Sequence, residues 1–296
     1  MTNVAPADRP ARLAVGVIGA GRVGAVLGAA LQRAGHRLVG VAAVSKDSRR
    51  RAETLVPEVP VLPPDEVAAS CDLLVVAVPD DVLADLVRGL AASAVLRPGT
   101  MVAHTSGAHG ADVLEPLTRI GALPMALHPV MTFTGTEVDL QRLAGACFGV
   151  TAPEELRLAA EALVIEVGAE PVWIEESERA RYHAALAFGA NNLVTLVAQS
   201  ADLLRRAGVE HPGRMLGPLL GAALDNALRH GDAALTGPVA RGDAGTVATH
   251  LQTLDEPEVR AGYIAMSRLT AIRALAAGVL PAERAEPLLD VLAEGA

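Results

Sequence analysis

Aromatic residues are scarce in this sequence: they make up 2% of 296 residues, although hydrophobic residues reach 51%. The core must therefore consist of Ala, Val and Leu rather than of rings. Cysteine is equally scarce, since only Cys71 and Cys147 occur. Two cysteines exclude a disulfide framework and a thiolate metal site, and they favour a reducing cytoplasm. A chain of this length suits one large domain or, better, two.

The chain also lacks a basic tract and a long apolar segment. Its 25 Lys and Arg residues face 34 Asp and Glu residues, and a net charge of −9 argues against nucleic acid as a partner. No run of 18 or more apolar residues occurs, so we expect no membrane span. Residues 1–11 are polar and contain Pro, which predicts a flexible tail, and the glycines in the first apolar run argue against a signal peptide.

A glycine pattern near the start is the most informative feature. An apolar strand segment runs into Gly19, Gly21 and Gly24, with Arg22 and Val23 inside the pattern, and apolar residues at helical spacing follow. In G-x-G-x-x-G the first glycine allows a tight turn, the second lets the backbone approach a pyrophosphate, and the third lets helix and strand pack closely. The helix N-terminus then faces the phosphates. We predict that these five residues bind a dinucleotide.

The arrangement of apolar segments predicts two domains. In 12–176 short strands alternate with helices, which indicates βαβ units and a parallel sheet, the α/β doubly wound Rossmann fold. In 177–296 the strand signal stops, and an all-α domain is predicted. Strands are predicted at 13–18, 38–44, 72–78, 100–104, 123–127, 147–151 and 171–174. Helices are predicted at 23–34, 48–55, 82–91, 153–167, 177–207 (capped by Ser177), 214–229, 244–254 (capped by Asp243), 258–277 (capped by Asp255) and 282–293.

The end of the second predicted strand bears on the choice between NAD and NADP. An acidic residue there would hold a ribose hydroxyl of NAD. This chain instead has Ser45, Lys46 and Arg49, whose hydroxyl and cations suit the 2′-phosphate of NADP. Asp47 is expected to cap the next helix. We therefore predict NADP, with NAD as the alternative.

Further candidate residues follow other predicted strands, where ligands of open α/β sheets bind. Val78 and Pro79 are expected to border the dinucleotide. Ser106 either bonds the nicotinamide or substrate or closes an ordinary turn. His128 either faces the cleft and binds substrate or serves a structural role.

Polar residues interrupt the apolar face of the long helix predicted at 177–207. On a regular helix His183 and Asn191 lie about 80° apart, so one surface can present both. An unperturbed histidine titrates near neutral pH and can deliver a proton, and Asn191 could orient a carbonyl or carboxylate. The alternative is a satisfied polar layer between packed helices.

Two glycines and a proline form an unusual loop at 235–243 in the helical region. Thr236 and Arg241 lie in this loop, and Arg241 could clamp the carboxylate of a small anionic metabolite. A plain connecting loop is the alternative. No histidine or carboxylate spacing typical of a metal site occurs, so no metal is predicted.

With these motifs assembled, the chain resembles a family in which a Rossmann-like domain precedes a helical domain of unknown function. This family belongs to the superfamily of pyrroline-5-carboxylate reductase, ketopantoate reductase and 6-phosphogluconate dehydrogenase. The segments that carry the resemblance are 19–24, 77–79, 104–107, 128–133, 182–191 and 235–243. It implies a homodimer, and Thr236 and its loop resemble the loop lining the substrate site of pyrroline-5-carboxylate reductases.

One departure from the superfamily concerns the proton donor. Many members carry a catalytic lysine three residues before a paired asparagine, whereas Phe188 stands there in this chain and no lysine follows Lys46. Either His183 replaces it, with Asn191 and Thr236 in the same catalytic site, or the substrate needs no strong acid from the protein, as for an imine that is already protonated. We therefore expect a cytoplasmic NADPH-dependent oxidoreductase that transfers a hydride to a small 2-oxo acid such as ketopantoate. The alternatives are a cyclic-imine reductase and a non-catalytic dinucleotide sensor or partner protein.

Overall fold

The computed structural model describes residues 12–295, which divide into two compact units between Phe188 and Gly189. The predicted tail at 1–11 lies outside the described residues. The predicted domain boundary at 176/177 falls before the observed division. The physical reason is that the helix starting at Arg179 packs on the sheet, with the Arg179 side chain only 2% exposed.

The first unit is built on a seven-stranded sheet. All seven predicted strands are present, with bounds that differ from the predictions by at most two residues: β1 Ala14–Ile18, β2 Arg37–Ala42, β3 Leu73–Val76, β4 Met101–His104, β5 Leu123–Pro129, β6 Cys147–Thr151 and β7 Glu170–Trp173. Their order is β2-β1-β3-β4-β5-β6-β7. The order reverses beside β1, where a doubly wound sheet forms its ligand crevice. The predicted fold class is confirmed.

The expectation of a wholly parallel sheet is wrong at one pair, because β5 and β6 are antiparallel. The intervening helix, Glu137–Leu143, has seven residues and is about 10 Å long. The seven residues of β5 span about 23 Å. The helix thus covers less than half the length of the strand, and β6 begins beside the end of β5, with Phe148 paired to Pro129, and runs back along it.

Helices cover both faces of this sheet. Successive residues of β1 and β3 alternate between two clusters of buried Ala, Val and Leu side chains, and Phe133 and Phe148 are the buried aromatic residues among those described. The α-helices of this unit are α1 Arg22–Arg33, α2 Lys46–Leu55, α3 Pro64–Ala69, α4 Asp80–Ser93, α5 Glu115–Thr118, α6 Glu137–Leu143, α7 Arg157–Glu166 and α8 Arg179–Leu186.

The predicted single helix at 177–207 is interrupted. Ser177 lies in a 3₁₀ turn, Glu176–Glu178, rather than at an N-cap, and a π segment, Ala187–Asn191, follows α8. Because a π turn closes i→i+5 bonds, the regular step of about 100° per residue does not hold across it. The predicted angle between His183 and Asn191 therefore does not apply.

The second unit is helical. It contains α9 Asn192–Arg206, α10 Pro212–His230, α11 Gly237–Ala240, α12 Ala244–Thr253, α13 Pro257–Ala276 and α14 Ala282–Glu294. Asp243 caps α12 as predicted, since its carboxylate accepts the Thr246 N–H at 3.0 Å. The Asp255 cap is wrong, because Glu256 is the N-cap of α13 and makes no side-chain cap bond. No helix within residues 12–295 is long and apolar enough to cross a membrane.

Candidate active site

The glycine turn joins β1 to α1 at the carboxyl edge of the sheet. Gly19 has φ +95°, a conformation that L side chains rarely adopt, and its N–H donates to Ala42 O at 3.0 Å. A Cβ on Gly24 would overlap the Gly19 carbonyl oxygen and lie 2.9 Å from the Ala77 Cβ. The backbones of β1, α1 and the end of β3 therefore meet without room for a side chain.

Gly21 is different, because no heavy atom lies within 4 Å of the place its Cβ would take. It is the N-cap residue of α1, and the first intrahelical bond runs from Ala25 N to the Gly21 carbonyl. The N–H groups of Arg22, Val23 and Gly24 thus have no acceptor within the helix. An open approach and free donors at a helix N-terminus fit the pyrophosphate of a dinucleotide.

The predicted phosphate-binding residues lie at the start of α2. Ser45 rather than Asp47 caps this helix, because the Ser45 Oγ accepts the Ser48 N–H at 3.0 Å. Lys46 and Arg49 are exposed in the first turn, and neither forms a salt bridge with a described residue. Cations are disfavoured at the positive end of a helix dipole, so their presence here suits an anionic ligand.

Two further arginines converge nearby, against Gly135. Its Cβ would lie 2.8 Å from the Arg51 Nε and 3.1 Å from the Arg22 Cγ. Arg22 was predicted as a site residue and Arg51 was not. A run of three arginines on an exposed helix does not indicate which of them lies near the glycine turn. Val78 also borders the turn, with its Cγ1 3.2 Å from the place of a Gly19 Cβ, and Pro79 is the N-cap residue of α4.

The loop after β4 is held by buried polar groups. His104 is fully buried, its Nδ1 accepts the Ser106 N–H at 3.2 Å, and its Nε2–H donates to Gly110 O at 2.7 Å. The Ser106 Oγ accepts the N–H groups of Ala108 and His109, both at 3.2 Å. Ser106 thus closes the turn, and its contact with the nicotinamide or substrate stays a prediction. Burial lowers the pKa of His104 to about 4.

Next to this loop, the side chains of His128, Tyr182 and His183 meet, and the two imidazoles lie against Gly107. The Nδ1 of His128 lies 2.8 Å from the Tyr182 hydroxyl, and the ring centroids of His128 and His183 are 6.1 Å apart, edge to face. A Cβ on Gly107 would lie 2.7 Å from the His183 Cδ2 and 2.9 Å from the His128 Nε2. Only a glycine leaves room for both imidazoles.

The electrostatics of this group keep His128 neutral. Burial, and then the Coulombic effects of His183 and Arg179, lower the pKa of His128 to about 4, against an opposing effect of Asp80. Burial also raises the pKa of the Tyr182 phenol. At neutral pH the pair therefore consists of an uncharged imidazole and an uncharged phenol.

Arg179 attaches the helix that carries Tyr182 and His183 to the sheet. Its Nε donates to Thr151 Oγ1 at 2.7 Å, and its Nη2 donates to Gly149 O at 3.0 Å and to Ala126 O at 3.2 Å. Its guanidinium carbon lies 5.6 Å from the centroid of the Tyr182 ring. Arg179 thus joins α8 to β5 and β6.

Tyr182 and Arg179 were not predicted as site residues. The signal that could have found them is the spacing 179, 182 and 183, which puts the three side chains on adjoining parts of one helix face. The sequence gives no hint that Gly149 of β6 makes room for the phenol, which would overlap a Cβ there.

The remaining predicted site residues, Asn191, Thr236 and Arg241, lie in the second unit. Asn191 is exposed and ends the π segment. Thr236 is the N-cap residue of α11 without a side-chain cap bond, and Arg241 is exposed at the C-cap of that helix. Their catalytic and substrate-binding roles stay predictions. Among residues 12–295 no group of three or more His, Cys, Asp or Glu side chains could hold a metal ion.

Comparison with protein families covers both units. Residues 2–129 match the model of a Rossmann-like domain, and residues 146–270 match the model of a domain of unknown function, DUF2520. No curated protein matches the chain.

Solved structures with the same fold span nearly the whole chain. A proposed NADP oxidoreductase from Bacteroides fragilis is 25% identical, with a TM-score of 0.74 over 88% of this chain and 98% of its own. A protein from Thermotoga maritima is 18% identical, with a TM-score of 0.67 over 88% and 99%. A pyrroline-5-carboxylate reductase from Coxiella burnetii is 15% identical, with a TM-score of 0.54 over 94% and 99%.

Proposed function

We propose that this chain, a member of the family in which a Rossmann-like domain precedes a DUF2520 domain, is an NADPH-dependent oxidoreductase that reduces the carbonyl group of a small 2-oxo acid. One observation carries the proposal: the open glycine turn after β1 and His128 at the end of β5 lie at the same edge of one sheet, and His183 of α8 lies against His128. The similarity to the Bacteroides fragilis protein, whose name states an NADP oxidoreductase, supports the choice of reaction.

Strand order supports this pairing of sites. From β1 the parallel strands β3, β4 and β5 follow in turn, so the carboxyl ends of β1 and β5 are three strand spacings, about 14 Å, apart. A dinucleotide bound at the glycine turn extends across such an edge. Its pyrophosphate would lie on Gly21 and the start of α1, and its nicotinamide would lie toward His128 and His183.

Bound NADPH supplies the hydride, and the residues of the chain supply placement and a proton. Reduction of a carbonyl group leaves a negative charge on oxygen, which requires a hydrogen-bond donor and a proton. We assign His128 to bind the substrate and His183 to donate the proton. Because a protonated cyclic imine needs no proton from the protein, the two imidazoles favour a carbonyl substrate over an imine.

The test is a panel of substrates. We expect the purified protein to oxidise NADPH with at least one small 2-oxo acid, ketopantoate first among them, and to be slower with cyclic imino acids. The assay follows NADPH absorbance. Turnover of cyclic imines alone would replace the 2-oxo acid by an imine, and tight NADPH binding without any turnover would favour the dinucleotide sensor.

Replacing His183 should remove the proton donor. We expect His183→Gln to lower kcat about 100- to 1,000-fold, because general acid catalysis contributes on that order. NADPH affinity should be unchanged. His230→Gln is the control, since His230 is an exposed residue at the end of α10. Undiminished kcat in His183→Gln would rule out the assignment.

The cations at the start of α2 should set the preference for NADPH over NADH. Each charge-assisted phosphate bond is worth about 1.5–3 kcal/mol, so we expect Lys46→Ala and Arg49→Ala each to raise the KM for NADPH roughly tenfold or more. The KM for NADH should hardly change. Arg50→Ala is the matched control, because Arg50 lies on the same helix and pairs with Asp47 at 3.2 Å. Equal effects on both cofactors would argue against a 2′-phosphate contact.

We also propose that the second unit forms a homodimer. Large apolar side chains are exposed along α9 and α10, and such patches mark interaction surfaces; they are Leu193, Val194, Leu196, Met215, Leu219, Leu224 and Leu228. A second copy of the chain is the partner that the family resemblance implies, and a two-fold interface buries the same surface on both copies.

A charge placed on this surface should separate the two copies. Leu228 is 80% exposed, so Leu228→Asp leaves the fold of one copy intact and should shift the sedimentation coefficient from dimer to monomer. Leu158→Asp on α7 is the control, because Leu158 is 81% exposed on the first unit. A wild-type protein that sediments as a monomer at micromolar concentration would contradict the proposal.

A further inference from the structure

Each of the two tyrosines of the chain is hydrogen-bonded to a histidine, and the two pairs have the same geometry. The Tyr182 hydroxyl lies 2.8 Å from Nδ1 of His128, and the Tyr263 hydroxyl lies 2.9 Å from Nδ1 of His250. Both ring pairs meet edge to face, with centroids 5.6 and 5.9 Å apart. Of the two pairs, the one with Tyr182 adjoins His183 and the loop after β4.

The direction of the Tyr182–His128 hydrogen bond follows from the chemistry of the two groups. A phenol O–H is a stronger donor than the N–H of a neutral imidazole, and an imidazole nitrogen is a stronger acceptor than a phenol oxygen. The Tyr182 hydroxyl therefore donates to Nδ1 of His128, the atom within reach. The imidazole then carries its own proton on Nε2.

The charges that face His128 are consistent with this state. Arg179 and His183 lie on α8, Tyr182 lies between them, and Asp80 starts α4. Burial, with the Coulombic effects of His183 and Arg179, outweighs the single carboxylate and keeps the imidazole uncharged. A neutral imidazole with Nδ1 as acceptor has one donor left, Nε2–H, and this atom lies beside Gly107.

We propose that Tyr182 is a positioning residue, which holds His128 as the Nε2–H tautomer and so presents a neutral hydrogen-bond donor to the substrate oxygen. The inference rests on the proposed function. As the carbonyl carbon is reduced, the electron pair of the C=O bond moves to oxygen. The Nε2–H of His128 bonds that oxygen and keeps its proton, while His183 transfers its proton to the oxygen and becomes neutral.

His104 provides an internal reference for this tautomer. Its Nδ1 accepts a backbone N–H and its Nε2–H donates to a carbonyl, so its proton position is fixed by groups that cannot reverse. His104 and His128 are thus expected to carry the proton on the same ring nitrogen. A tyrosine hydroxyl can either donate or accept a hydrogen bond. The position of the ring proton of His128 therefore depends on the surroundings of Tyr182.

The first test reads the proton position without any substrate. ¹⁵N NMR of protein labelled at histidine separates protonated from unprotonated ring nitrogens, and a His128→Gln variant assigns the signal. We expect wild-type His128 at pH 7 to match His104, with the proton on Nε2. In Tyr182→Phe, which keeps the ring and removes the hydroxyl, His128 should become a mixture of tautomers while His104 stays unchanged. A proton on Nδ1 of His128 in the wild type would overturn the proposal.

The second test measures turnover. We expect Tyr182→Phe to lower kcat about tenfold, the equivalent of one lost hydrogen bond, with an unchanged KM for NADPH and a fall in melting temperature of no more than about 4 °C. Tyr263→Phe is the matched control and should leave kcat unchanged. Wild-type kcat in Tyr182→Phe would overturn the positioning role. If the wild type shows the expected spectrum but reduces no 2-oxo acid, the proposed function fails and the tautomer assignment stands.

Discussion

Gly24→Ala is expected to weaken dinucleotide binding roughly 100-fold and to destabilise the first unit. The added methyl group would overlap the carbonyl oxygen of Gly19 and lie 2.9 Å from the Ala77 Cβ. Backbone atoms cannot rotate away as a flexible side chain can, so α1 must move off the sheet. Overpacking of this kind costs about 1–3 kcal/mol. The shift also displaces the N–H groups of the helix start, and a loss of about 3 kcal/mol of binding energy is roughly 100-fold in NADPH affinity.

Gly21→Ala separates folding from binding. The residue has φ −71° and ψ −163°, which any L-residue adopts, and nothing in the protein would touch its Cβ. We expect a free energy of unfolding within about 0.5 kcal/mol of the wild type. NADPH affinity should still fall, because the methyl group would take the space of the pyrophosphate. Calorimetric titration with NADPH and thermal unfolding measure the two effects. NADPH affinity equal to that of the wild type in Gly21→Ala would show that the pyrophosphate does not lie there.

Arg179→Met is expected to have the largest effect on stability. The substitution keeps much of the side-chain volume and leaves three buried acceptors, Ala126 O, Gly149 O and Thr151 Oγ1, without their donor. The loss of about 1 kcal/mol or more for each acceptor predicts a total of about 3 kcal/mol. For a unit of this size that is a fall of roughly 10 °C in melting temperature. Thermal unfolding of the full chain, followed by calorimetry, tests it.

The matched control lies two residues further along α8. The Arg181 side chain is 82% exposed and pairs with Glu178, so Arg181→Met should change stability by less than about 0.5 kcal/mol. If Arg179→Met were equally mild, the buried guanidinium would not hold α8 on the sheet. In that case its role in placing Tyr182 and His183 would also be wrong.

The secondary structure of this chain was largely predictable. All seven strands follow from apolar runs of strand length, and four predicted helices of the first unit are present because their apolar residues recur at helical spacing. Caps were less predictable. Asp243 was correct, whereas Asp47, Ser177 and Asp255 were wrong, because several polar residues near a helix start compete for one cap position.

The candidate site was predictable only in part. The glycine turn depends on neighbours in sequence. His128 was identified because it follows a predicted strand, and His183 because it interrupts the apolar face of a predicted helix. Arg51, Tyr182 and Arg179 were missed because each acts through a residue far away in the chain, namely Gly135, Gly149 and Ala126. A glycine that makes room for a distant side chain carries no local signal.

By itself, the sequence determined the succession of strands and helices, the Ala-, Val- and Leu-rich core and the dinucleotide turn, because periodicity and turn chemistry act between residues close in the chain. Tertiary structure alone decided that β6 runs antiparallel to β5, that α8 joins the first unit, and that two imidazoles and a phenol meet above Gly107 and Gly149. These features depend on long-range packing, in which the shape of one strand or loop selects which distant side chain can approach it.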